Sequence, residues 1–246
     1  DLYPGHWAGT KEDYLVHYDY TVDSVTGVIP DADIGPGNIL NPARIGANDV
    51  SKREQWGLDI VDHAAKGTNR CTGATGTRLC YLQCSWYGQV GVAIDSFDVA
   101  VQRMRDRLDR YPQFKALPVD VAEFAILRDD ANQRLWSGDI TEWGASWYAA
   151  IAERVYGLGV DQVHEWAQTT AGIQHPRALV IGMLERMAGG DRLAVEVAGK
   201  SAARCGAIAC RKGGDLYVLL FNHRPSRRLN VPEEVRLVIS DPRMTA

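Results

Sequence analysis

Apolar residues recur along the first 190 positions in two alternating rhythms. Tyr14, Tyr18, Val22 and Val25 fall at helical spacing, and Gly27 closes that segment. Residues 32–36 then read as a short strand running into Gly35-Pro36-Gly37-Asn38. Trp56, Ile60 and Ala64 mark one face of a second helix that stops at Gly67, and a glycine-rich loop leads to a strand over 79–85. Phe97, Val101, Met104, Leu108 and Tyr111 trace the buried stripe of a third helix. Its other side carries Arg103, Asp106, Arg107 and Arg110. Asp95 or Ser96 is placed to cap it and Pro112 to end it. Pro118 opens a strand over 119–124. Asp139-Ile140-Thr141-Glu142 then fits a capping box with Asp in the first position. The helix behind it shows Trp143, Trp147, Ile151 and Val155 on one stripe and ends at Gly157 and Gly159. A strand over 160–167 and a helix from near Pro176 to Gly189-Gly190 complete the series.

This makes four β→α units between residues 32 and 188, an alternation that predicts parallel strands joined by right-handed crossovers. A helix precedes the first strand, so a further strand is expected upstream. From Asp191 the rhythm changes. Residues 193–197, 205–211, 215–223 and 234–239 read as short strands separated by turns, hence an antiparallel layer. The expected class is α/β, with a parallel βα region over 1–190 and a β-rich appendage over 191–246. Four parallel strands suit either a small open sheet of the flavodoxin kind or strands five to eight of a (β/α)8 barrel. A half barrel would expose two edges and half a core, so that reading requires a complement: an upstream segment of the same gene product or a second chain.

Composition narrows the picture. With 46% hydrophobic and 24% charged residues, the 246-residue chain can fill a sizeable core. A net charge of −4 argues against nucleic acid and against anionic membranes. No apolar run approaches the roughly 18–20 residues of a membrane helix. The five cysteines, Cys71, Cys80, Cys84, Cys205 and Cys210, have no metal-ligand spacing. Cys80 and Cys84 are too far apart on one strand to bridge, whereas Cys205 and Cys210 could pair across a turn.

Barrel enzymes place reactive groups at the C-terminal ends of their strands. Those ends hold Asn38; Ser85-Trp86-Tyr87-Gly88; Glu123-Phe124; and His164-Glu165-Trp166. One carboxylate among aromatic platforms suits a sugar, whose C–H faces stack on rings while the carboxylate meets an oxocarbenium-like carbon. By alternation Glu123 shares a strand face with Val119 and Val121, as an inward-pointing group above an apolar floor would. The alternative is a structural ion pair at a strand end. Glu142 is read as a capping residue. Glu165 alternates with His164 and Trp166, and His164 and Trp166 are preferred inside. Trp143 and Trp147 are assigned to the core, and His17, His63 and His223 to structural roles without evident partners. His6 and Trp7, in a Gly/Pro-rich opening loop, are either a subsite or a loop anchor. Retaining hydrolysis requires two carboxylates, and only Glu123 is a good candidate.

The run from VDVAEF (119–124) through GASWYAAIAERVYGLGVDQVHEWA to ALVIGMLERMAGGDRLAVEV, closing with LLFNH at 219–223, resembles the C-terminal half of glycoside hydrolase family 39. That family includes β-xylosidases, α-L-iduronidases and bacterial exopolysaccharide hydrolases. The opening, Asp1-Leu2-Tyr3-Pro4-Gly5-His6-Trp7-Ala8-Gly9-Thr10, looks like the stretch that follows the family's Asn-Glu-Pro. DADIGPGN resembles the fifth strand, and CSWYG (84–88) the sixth, with Ser85 where members usually have His. The resemblance implies barrel strands five to eight plus part of a β-sandwich. It implies a retaining hydrolase with Glu123 as nucleophile and its acid/base Glu on an upstream segment or partner chain. A carbohydrate substrate would be bound by Trp7, Asn38, Ser85, Trp86, Tyr87, His164 and Trp166, with no metal or organic cofactor. Two other readings are a non-catalytic carbohydrate-binding or scaffolding half-barrel, and an open-sheet protein holding an anion on the Gly35–Asn38 loop.

Overall fold

The computed structural model describes residues 7–44, 51–128, 141–165, 176–199, 202, 204–227 and 232–240. The elements are α1 (Lys11–Val28), α2 (Ser51–Lys66), β1 (Leu82–Gln89), α3 (Asp95–Leu108), β2 (Val119–Arg128), α4 (Glu142–Leu158), β3 (Val163–Glu165) and α5 (Pro176–Met187). Then come β4 (Asp191–Arg192), β5 (Cys205–Lys212) and β6 (Asp215–Asn222). The fold is mixed α/β, with one parallel and one antiparallel sheet of three strands each among the described residues. No described helix is long and apolar enough to cross a membrane.

In the parallel sheet β1, β2 and β3 lie side by side in chain order. Residues 32–36 do not form the expected strand. The segment meets the sheet a little later, through a parallel bridge between Ile39 and Cys84, with Ile39 N–H donating to Gln83 and Ser85 N–H to Ile39. Helix α2 closes against this segment at Gly57, where a Cβ would lie 1.6 Å from Ile39 Cγ2, so only glycine permits the approach. The order has no reversal, unlike a doubly wound sheet, whose ligand crevice arises where strand order turns back.

Helices cover one face of this sheet. Trp86 of β1 packs edge-on against Phe97 of α3 and stacks on Trp147 of α4, and Phe124 of β2 stacks on the same Trp147. The core also takes in Leu82, Cys84, Val119 and Val121, all fully buried. Arg105 of α3 ties the opposite ends of the strands together. It donates to the carbonyls of Leu117 and Gly159 and pairs with Asp161, whose carboxylate accepts Val119 N–H.

Several helix ends differ from the expected ones. The α4 cap is Thr141, whose hydroxyl accepts Gly144 N–H, so Glu142 is the first helical residue rather than the third and is exposed; Asp139 lies outside the described residues. Helix α3 starts after Ile94 without a side-chain cap. Helix α1 opens with a reciprocal Thr10–Asp13 capping box and buries Leu15, Tyr18, Asp19 and Val22, while Val25 is exposed. Asp19 explains the departure. Its buried carboxylate accepts from Thr77 Oγ and Arg70 N–H and pairs with His63 of α2 at 2.8 Å, which gives His63 the partner the sequence did not reveal.

The antiparallel sheet is smaller than expected. Residues 193–197 and 234–239 are not strands, although Leu193 N–H still reaches Ala209. Cys205 and Cys210 lie on the same strand, β5, and do not pair; all five cysteines are free. A second apolar cluster joins this sheet to the helices, with Ile208, Cys210 and Leu219 against Ala149 and Ala152 of α4 and Val180 and Met187 of α5.

His223, just past β6, also has partners: Ser146 Oγ at 3.0 Å from Nδ1, and the Trp143 ring. Burial, helped by the Arg154 charge, lowers its pKa to about 4. Between pH 4 and the ordinary histidine value near 6.5, the unfolded chain therefore binds a proton that the folded chain refuses. The neutral imidazole's contribution is complete above about pH 6.5 and is lost as pH falls toward 4, by on the order of 2–3 kcal/mol. Melting temperature measured from pH 7 to 4 should fall less steeply in His223→Gln than in wild type.

Candidate active site

A bulge in β2 creates the site. Leu82 pairs with Val119 and Cys84 with Val121, but the next residue of β1, Ser85, pairs with Glu123. One residue of β2 is thus extra, and the neighbouring pairing of Val121 with Val163 and Phe124 with Glu165 shows the same insertion. Cys84 and Ser85 are consecutive and point to opposite faces, so Val121 and Glu123 do too. The expectation that Glu123 shares a face with Val119 and Val121 is therefore wrong. The valines lie under the helices, and the bulge turns Glu123 to the opposite face.

On that face Glu123 is partly buried and accepts three hydrogen bonds. Tyr87 O–H donates to Oε1. Ser85 Oγ donates to Oε2 at 3.1 Å, and Asn38 Nδ2 donates to the same oxygen at 3.2 Å. The donors are neutral and come from β1 and the segment beside it. They satisfy both oxygens of an ionised carboxylate without cancelling its charge in an ion pair. Tyr14 of α1 anchors the Asn38 segment by donating its hydroxyl to Pro36 O at 2.5 Å. The structural ion-pair alternative finds no cation among these partners.

Of the other expected site residues, Trp86 is corrected. It points between Ser85 and Tyr87 to the opposite face, is 1% exposed, and donates its indole N–H to Ser96. Trp7 packs on α1, against Tyr14 and His17, with its N–H on Thr10 O, contacts that fit the loop-anchor alternative. His164 is exposed, with Nε2 3.1 Å from Gln162 Oε1. By register it lies on the Glu123 face, while Glu165 faces the helices and pairs with the buried Arg177 of α5. Trp166 and His6 lie outside the described residues. Trp147 is buried and Trp143 partly so, as expected. The sequence reading missed the bulge, which strict alternation cannot signal, and the convergence of Asn38, Ser85 and Tyr87 on one carboxylate.

The described parallel sheet thus has its strands in chain order, helices on one face and a held carboxylate on the other. No family model matches the chain. Among curated proteins it is similar to mouse alpha-L-iduronidase, 27% identical over 148 residues, covering 59% of this chain and 21% of that one. Among solved structures it superposes on a glucosidase from Croceicoccus marinus with a TM-score of 0.63 and 18% identity, covering 89% of this chain and 45% of the other. It also superposes on a bacterial orthologue of human α-L-iduronidase with a TM-score of 0.64 and 15% identity, covering 92% and 42%. The chain thus shares its fold with part of each structure, spans less than half the length of each of these relatives, and resembles glycoside hydrolase family 39.

Proposed function

We propose that this chain is the nucleophile-bearing part of a retaining glycoside hydrolase. Residues 1–190 would supply strands five to eight of a (β/α)8 barrel and 191–246 a β-rich appendage. An upstream segment or a partner chain would complete the barrel and contribute the acid/base carboxylate. The observation that carries this reading is the carboxylate of Glu123. It sits on the central strand, turned away from the helices by a bulge, and is held on both oxygens by neutral donors. Chain-ordered strands with helices on one side are what a segment of a barrel provides. The three similar proteins, two named as iduronidase or its orthologue and one as glucosidase, support a glycoside as substrate.

The chemistry is double displacement. A Glu123 oxygen bonds to the anomeric carbon as the bond to the leaving oxygen breaks, and that oxygen takes a proton from the acid. Water, deprotonated by the same group, then attacks the anomeric carbon and releases the Glu123 carboxylate. Among the described residues the hydrogen-bond partners of Glu123 are all neutral, so in this reading the second carboxylate would come from outside this cluster.

The test is to assay the full-length gene product on a panel of 4-nitrophenyl α- and β-glucosides and 4-methylumbelliferyl α-L-iduronide, following the first-formed anomer by proton NMR. Turnover with retained configuration is expected. Inversion would overturn the double-displacement mechanism. Binding of these glycosides without turnover would favour a carbohydrate-binding half-barrel.

A further inference from the structure

Glu123 is not held evenly. Among the described residues, Oε2 takes two donors, Ser85 Oγ and Asn38 Nδ2, at 3.1 and 3.2 Å, while Oε1 takes the Tyr87 hydroxyl. The two donors on Oε2 arrive from adjacent backbones, β1 and the segment bridged to it at Ile39, so they fix that oxygen from two directions. Ser85 is 3% exposed, which leaves its hydroxyl committed to the carboxylate rather than to solvent. Resting on the glycosidase reading, we propose that Ser85, with Asn38 beside it, is a positioning residue. It holds Oε2 as the oxygen that does not attack and thereby aims Oε1 at the sugar.

The logic lies in what each oxygen becomes. As the Oε1–carbon bond forms, the bond to the leaving group breaks; its electron pair goes to the leaving oxygen, which is protonated by the acid. Oε1 becomes the bridging oxygen of an ester, a poor hydrogen-bond acceptor, and Tyr87 must release it. Oε2 becomes the ester carbonyl and remains a good acceptor. Donors on Oε2 therefore persist through the step and keep the carboxyl plane fixed, whereas two donors on the attacking oxygen would have to be broken.

The test uses the full-length gene product and the glycoside of the panel that it turns over fastest. Ser85→Ala should lower kcat about 10–100-fold with KM changed by less than about threefold. Ser85→Thr, which restores the hydroxyl, should recover kcat to within about fivefold of wild type. Asn38→Leu, which keeps the volume and loses the donor, should show the same split between kcat and KM as Ser85→Ala. It also decides the matter if Ser85→Ala fails to fold. The proposal is overturned if the alanine variant keeps kcat within about twofold, if threonine is no better than alanine, or, where the alanine variant does not fold, if Asn38→Leu keeps wild-type kcat. A Glu123→Gln enzyme that stayed active would instead overturn the reading beneath it.

Discussion

Glu123→Gln is expected to remove turnover, by about 10⁴-fold or more in kcat, while leaving the fold almost untouched. The amide matches the carboxylate in shape but cannot form the ester that carries the reaction. The surroundings adapt at little cost. Tyr87 can still donate to an amide oxygen in the Oε1 position. The amide nitrogen would replace Oε2 and face Ser85 and Asn38. Serine can rotate its hydroxyl to accept. Asn38 can turn its side chain by half a rotation, bringing to the interface an Oδ1 that is buried and without a hydrogen bond among the described residues in the parent arrangement. Melting temperature should therefore stay within about 3 °C of wild type, because both new amide hydrogens find acceptors and Asn38 only exchanges one unpartnered buried atom for another. A second variant tests chemistry rather than rate. Glu123→Ala supplemented with azide should produce a glycosyl azide of inverted configuration, since azide enters the space the carboxylate vacates and attacks the same face of the sugar. Wild-type turnover in Glu123→Gln would remove this residue from the mechanism.

The sequence carried the large features because they are repeated signals. The third and fourth helices, the run through 119–124 and the turn to antiparallel strands near Asp191 each rest on several residues in pattern, and each is found. The errors fall where one local interaction overrides the period. Asp19 looks misplaced on the α1 stripe until its partners, 44 to 58 residues away, are known. Residues 193–197 and 234–239 alternate like strands, yet a strand requires a neighbour to bond with, and periodicity does not state whether one is present. Glu123 is the instructive case. Simple alternation placed it on the correct face only by assuming that Val119 and Val121 shared that face. The bulge breaks that link: one extra residue leaves Glu123 on the expected face and puts Val119 and Val121 on the opposite one. Asn38, Ser85 and Tyr87 were legible as residues at strand ends. Their meeting on a single carboxylate was not, because it depends on register, which the pairing of three separate backbones sets.

Trp147→Ala is expected to cost about 3–5 kcal/mol of stability, the range for deleting a buried aromatic side chain, and to lower the melting temperature by roughly 8–15 °C in a chain of this size. The indole is 1% exposed and lies parallel to both Trp86 and Phe124, at centroid distances of 5.9 Å from each. It also rests on the backbone at Gly88, where a Cβ would come within 2.5 Å of its Cζ2. One helix side chain thus grips β1 at two points and β2 at one. Trp147→Phe should cost far less, about 1–2 kcal/mol, because the ring stack survives and the lost N–H is a buried donor without an acceptor among the described residues. A loss below about 3 °C in the alanine variant would show that the stack contributes little. The same grip reaches the site. Trp86 lies between Ser85 and Tyr87, and Phe124 follows Glu123, so residues on the helical face set the strand positions that bring donors and carboxylate together on the other. Trp147→Ala should therefore reduce kcat even well below its melting temperature, and Trp147→Phe should restore it, as expected when rigidity on one side of a sheet determines geometry on the other.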